Sequence, residues 1–142
     1  MTEVKFFFNV DHKLGYACKL AKKAFEGGRK LIVYTPDPGV ADEFDRLLWT
    51  FSQLSFVPHV RAGHALTAET PIVIAADDSE LPHHDALLNL GDDPPPFFTR
   101  FEQLREVVGI DEDDRLKARA RHKFYQSRGF AIQTLDMKAK NG

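Results

Sequence analysis

Three places along the chain gather side chains that could do chemistry. The first is the adjacent trio His83, His84 and Asp85, all metal-binding types, with His59 and His64 as more distant additions. Metal ligands must converge on one point, whereas adjacent residues point to different sides of a strand or loop, and the helical ligand spacing H-x-x-x-H is absent. The trio therefore reads as a polar surface loop, with a small α/β enzyme, a metal-assisted hydrolase, as the alternative. The second place is Cys18, the only thiol. It stands inside a helical apolar stripe, where a thiol behaves as a small buried hydrophobe, and no G-x-S-x-G elbow supplies another nucleophile. On this reading no catalytic residue, metal or cofactor is expected. The third is "RLKARARHKFYQSR", residues 115–128, with six Lys or Arg and no acid. A solvated helix face normally mixes signs for ion pairs. A run of one sign suggests an anion site, for a cluster of peptide carboxylates or for phosphates, against the plainer alternative of a basic surface paired with acids elsewhere.

The totals bound what these residues can serve. A chain of 142 residues is the size of one compact domain, 1–142, with a single core. Its formal net charge of −2 and pI near 6.3 argue against a molecule built as a whole to bind nucleic acid. One cysteine excludes an internal disulfide and suits a reducing compartment. No apolar run reaches the ~20 residues of a membrane span, and "MTEVKFFFNV" lacks a signal peptide's basic flank. The cytoplasm is the expected location.

The elements that must position the chemistry follow from periodicity. "EVKFFFNV", residues 3–10, is rich in strand formers, with Asp11 as a candidate cap for the next helix. There Leu14, Ala17, Cys18, Ala21, Ala24 and Phe25 share one face, and "EGG" at 26–28 stops it. "KLIVYTP", residues 30–36, reads as a strand covered on both faces. A helix from about Val40 to Phe51 follows, then strands at 71–76 and 85–91, separated by "DDSELPHH". The prolines of "GDDPPPFF" impose a loop. A helical turn near "FFTRFEQ", a strand at "LREVV" and a long helix from Asp111 to Ser127 complete the pattern. The alternation predicts a Rossmann-like α/β fold, a mostly parallel sheet flanked by helices. Neither a G-x-G-x-x-G nor a Walker glycine motif follows the first strand, where the chain reads "NVDHKLGY", so no nucleotide site is expected.

Two helices carry a surplus. In the second, Val40, Leu47, Leu48 and Phe51 lie within about 60° of Phe44 on a helical wheel, while Trp49 falls about 140° away beside Asp42 and Asp45. Either "SQLSFVPH" folds back over the indole, or Trp49 and the neighbouring Phe56, Val57 and Pro58 form an exposed anchor for a partner. In the last helix, Leu116, Ala120 and Phe124 make a thin apolar stripe for docking. Arg115, Arg119 and His122, with Lys123 at the edge, share one outer sector, and Lys117, Arg121 and Arg128 another.

"FDRLLWTFSQLSFVPHVRAG", then "PIVIA", then "ARARHKFYQSRGF" closely resemble the chi-subunit family of the bacterial DNA polymerase III holoenzyme, and the likeness runs along nearly the whole chain. The resemblance implies a Rossmann-like fold without nucleotide chemistry, in a non-catalytic subunit of the clamp-loader assembly. It implies pairing with the psi subunit through Trp49, Phe56, Val57 and Pro58. It also implies binding of the acidic C-terminal tail of single-stranded DNA-binding protein by Arg119, Lys123, Arg115, His122 and Tyr125, with no specific nucleic-acid site and no membrane contact. Two departures stand out: His122 replaces the family's usual aromatic, and "HALTAET" replaces a glycine-rich loop.

Overall fold

Short runs of branched and aromatic residues become strands, and the amphipathic stretches between them become crossover helices. The computed structural model describes residues 1–50, 57–64 and 70–138. In chain order these form β1 (Glu3–Val10), α1 (Lys13–Glu26), β2 (Leu31–Tyr34), α2 (Pro38–Thr50), β3 (His59–Arg61), β4 (Ile72–Ala75), β5 (Ala86–Asn89), β6 (Gln103–Gly109), α3 (Glu112–Ser127) and β7 (Ile132–Asp136). The strands make one sheet in the order β3-β4-β2-β5-β6-β1-β7. All its neighbours are parallel, so the expected α/β fold is present with a sheet more uniform than "mostly parallel". The two strands the sequence did not announce, β3 and β7, are the sheet's edges. Both are short and half-covered, which leaves little periodicity to detect.

Each face of the sheet carries its own core. Under α1 and α2 lie Phe7, Cys18, Val33, Phe44, Leu48, Leu88 and Val107; under α3 lie Phe6, Ile32, Leu87, Phe98, Leu104 and Tyr125. Strand β2 contributes to both, with Leu31, Ile32 and Val33 all buried, as its continuous apolar run requires. Helix α1 approaches the sheet through the small residues Ala17, Cys18 and Ala21, and α2 through Ala41, Phe44 and Leu48. Phe51 lies outside the described residues.

Two expectations about helices are corrected. Asp11 does not cap α1; the helix starts one residue later, and His12 Nδ1 accepts the Gly15 N–H at 2.8 Å. Gly15 permits this, because a Cβ there would stand 2.4 Å from that nitrogen. Of the expected stripe of α3 only Phe124 packs on the core; Leu116 and Ala120 face outward. Leu116 is 53% exposed, whereas Ala118, Arg121 and Tyr125 are buried, a face about 130° round the helix. The physical reason is a buried acid on β6, Glu106, which requires hydrogen-bonding partners more than the helix requires its apolar stripe.

Candidate interaction sites

Alternation along β1 sends Phe7 towards α1 and Phe6 and Phe8 towards α3. Helix α3 leaves part of that face open. Between it and the sheet lies a cleft of about 390 Å³ with Phe6, Phe8, Val108 and Ala118 as apolar lining, and Arg115, Arg119, His122, Asn9 and Thr134 as polar lining. Arg115, Arg119 and His122 stand at i, i+4 and i+7, one side of α3. Among the described residues no acid lines the cleft. Asn9 holds a left-handed backbone, φ 60°, where the pairing of β1 with β6 is interrupted. It accepts Arg115 Nη2 at 2.6 Å and donates to Asp136 Oδ1 at 2.9 Å. The His122 ring is tilted over Phe6, with centroids 5.3 Å apart. An apolar well bordered by cations suits a ligand with an aromatic or aliphatic end next to a carboxylate.

Beneath the cleft, α3 is fastened by buried polar groups. Arg121 Nε donates to Glu106 Oε1 at 2.9 Å, and Oε2 accepts Tyr125 Oη at 2.5 Å and Asn89 Nδ2 at 3.0 Å. Arg121 Nη1 donates to the Asp92 carbonyl at 3.0 Å, tying α3 to the loop after β5. Burial raises the pKa of Glu106, with the Arg121 charge the largest opposing influence. Burial, and then the Glu106 charge, raise that of Tyr125.

The sequence-predicted tail residues are therefore divided. Arg115, Arg119 and His122 meet at the cleft; Lys123 is exposed but outside its lining, and Tyr125 is fully buried. The second outer sector dissolves as well: Arg121 is internal, Lys117 pairs with Asp92 and Asp113, and the Arg128 guanidinium lies 4.8 Å from the Phe124 ring centre. Phe6, Phe8, Asn9, Val108 and Thr134 carried no signal in the sequence, because only the strand order brings them under α3.

Trp49 is 60% exposed, with its ring edge-on to His59 at 4.9 Å. His59 is itself held: Nδ1 lies 2.7 Å from the Val57 carbonyl and Nε2 2.8 Å from Asp45 Oδ1. Arg61 bridges Asp45 and Asp42 at 3.3 and 2.6 Å. Pro58 is half-buried, and Val57 is a core residue, 1% exposed. Among the described residues the expected exposed anchor thus reduces to Trp49 and Pro58. Val57 packs inward because the segment entering β3 must cover the core beside α2. Phe56 lies outside the described residues.

The other candidates do not assemble a reaction centre. His83 is buried, and burial lowers its pKa, while His84 is exposed with its ring 5.2 Å from Phe101, and Asp85 is exposed. Among the described residues no three His, Cys, Asp or Glu side chains are grouped to hold a metal. Cys18 is fully buried, and burial pushes its thiol up to about 12. At the switch point between β1 and β6, whose following helices pass to opposite faces, open parallel sheets usually place a ligand. Here Asp114 fills the crevice, accepting the Gly109 N–H and pairing with Lys13 Nζ, each at 2.8 Å.

Comparison with known proteins gives consistent matches along most of the chain. A family model described as DNA polymerase III chi subunit, HolC, matches residues 1–133. DNA polymerase III subunit chi of Pseudomonas aeruginosa is 31% identical over 137 residues, 94% of this chain and 95% of the relative. The Haemophilus influenzae subunit is 34% identical over 119 residues, 83% of each chain. That of Escherichia coli is 28% identical over 122 residues, 85% of this chain and 83% of the relative.

Proposed function

The chain belongs to the DNA polymerase III chi-subunit family, and from that premise we propose that it is a non-catalytic adaptor, joining the clamp-loader assembly to single-stranded DNA-binding protein in the cytoplasm. The psi subunit pairs with the face presenting Trp49 and Pro58. The acidic C-terminal tail of single-stranded DNA-binding protein binds the α3 cleft.

The observation that carries the second assignment is the cleft's composition, an apolar well with Arg115, Arg119 and His122 around it and no acid among its described lining. A terminal Phe ring enters the well against Phe6, Phe8 and Val108. Its free carboxylate is held by Arg119 through two parallel bonds, with Arg115, pre-aimed by Asn9, supplying nearby charge. Lys123 attracts the preceding acidic side chains from outside the cleft. Tyr125 acts indirectly, by fixing Glu106 and with it the orientation of α3. Nucleic acid is a poorer match: the basic surface is one helix long on a molecule of net charge −2, so binding should be weak and steeply salt-dependent.

The test is titration of a fluorescent tail peptide, intact or lacking its last Phe, at two salt concentrations. Loss of even one charge-assisted bond costs about 1.5–3 kcal/mol, so Arg119→Ala, which removes both, should weaken the intact peptide by at least roughly 10- to 100-fold and leave psi pairing unchanged. Equal affinity of the truncated peptide would reduce the site to diffuse charge attraction. Equal affinity of the variant would move it off α3.

A further inference from the structure

The opposite face of the sheet has a second basic depression. Between the C-terminal half of α1 and the strands β6, β1 and β7 runs an open groove of about 540 Å³, with Lys5, Lys23, Arg29 and Arg105 along it and Glu3 as the acid among its described lining. Lys5 and Arg105 are register partners on adjacent parallel strands, so their side chains stand beside each other on this face. Like charges placed this way repel. The Arg105 side chain is only 16% exposed; its ion pair with Glu3 spans 3.6 Å, and Glu3 is 60% exposed. Burial lowers the Arg105 pKa, Glu3 opposing and Arg29 adding to the shift. Arg29 is tied to a neutral partner, Gln103 Oε1, at 2.9 Å. Among the described lining, Lys23, Arg29 and Arg105 face one exposed carboxylate, which leaves this half-covered surface short of negative charge, and a bound anion removes the deficit.

We propose that this groove is a second peptide-binding site, distinct from the α3 cleft, that takes an acidic segment with apolar residues between its carboxylates. The carboxylates meet Arg105, Arg29 and Lys23, and the apolar side chains meet Leu20 and Leu135 in the same groove. Charge and shape favour peptide over single-stranded nucleic acid. Of the two aromatic rings in the groove, Phe7 is 8% exposed and closed to a stacked base, and Tyr16, tilted on it at 5.4 Å, is partly covered. The edge strand β7 separates the two sites, with Thr134 lining the cleft and Leu135 the groove.

The experiment uses a fluorescein-labelled, C-terminally amidated peptide alternating Asp or Glu with Leu, titrated into the full chain carrying Arg119→Ala so that the α3 cleft is weakened. Saturable binding is expected, weakened about tenfold or more by the double reversal Lys23→Glu with Arg29→Glu. Both positions are exposed, so the fold should survive, and a circular dichroism melt checks this. Arg105→Gln should weaken binding too. With Arg119 intact, the double reversal should leave affinity for the tail peptide unchanged, which separates the two sites. Absence of binding, or affinity indifferent to the reversals, would overturn the proposal. Oligothymidylate bound more tightly than the peptide would overturn the choice of ligand.

Discussion

Replacing Arg121 by Met tests why a basic residue lies under α3. Arg121 is 1% exposed and Glu106 fully buried, joined at 2.9 Å. Met refills much of the aliphatic stem, so the main loss is the counter-charge. Removing one partner of a buried pair typically costs about 3–5 kcal/mol, a large part of the ~5–15 kcal/mol that holds a domain folded. The cost should depend on pH, and its sign follows from Glu106. Burial already raises that carboxyl's pKa, and Arg121 is the largest influence holding it down, so the variant raises it further. A carboxyl whose folded pKa exceeds its unfolded value is most compatible with the fold when protonated. Its favourable contribution is complete below the unfolded value of about 4.3 and is lost as pH rises through the folded value. The gap between wild type and variant should therefore be wider at the higher of two pH values, one near the unfolded carboxyl value and one well above it, growing by up to roughly 1.4 kcal/mol per pH unit within the titration window. Urea unfolding followed by circular dichroism measures it, with the wild type correcting for titrations common to both. Adding Glu106→Gln to the variant should recover part of the stability and flatten the pH dependence. A loss below about 1 kcal/mol, or one equal at both pH values, would refute the reasoning.

Trp49→Ala should leave the thermal transition cooperative, because the indole is 60% exposed, yet weaken psi pairing by about 2 kcal/mol or more. Calorimetric titration against psi measures the second effect, and loss of the cooperative melt would put the indole in the fold. Asp114→Asn should cost about 1–3 kcal/mol at neutral pH, since the carboxylate holds Lys13 and the Gly109 N–H. Burial opposes the Asp114 charge, but these partners outweigh it and lower its pKa. Its contribution is thus present above the unfolded value of about 3.9 and fades as pH falls through the folded one. An acid titration in which wild type and variant unfold in parallel would contradict this.

The sequence by itself determined the α/β class, the principal strands, the three helices and the family, because these depend on local periodicity, caps and breakers. It also isolated Trp49, whose position off the apolar stripe of α2 is a property of one helix and agrees with its exposure. Which face of α3 is buried could not be read in the same way. A wheel ranks faces by hydrophobicity, and the winning face holds Arg121 and Tyr125 because Glu106, fifteen and nineteen residues earlier, lies beneath them. Val57 likewise reads as part of an exposed apolar cluster until the turn into β3 is placed over the core. The cleft is still less local. Its Arg115, Arg119 and His122 lie within one helical run, but Phe6, Phe8, Val108 and Thr134 come from three strands that only the order β6-β1-β7 sets side by side. A helical repeat encodes which residues share a side of one element; what faces that side is decided when the crossover carries the helix across a sheet built from distant parts of the chain.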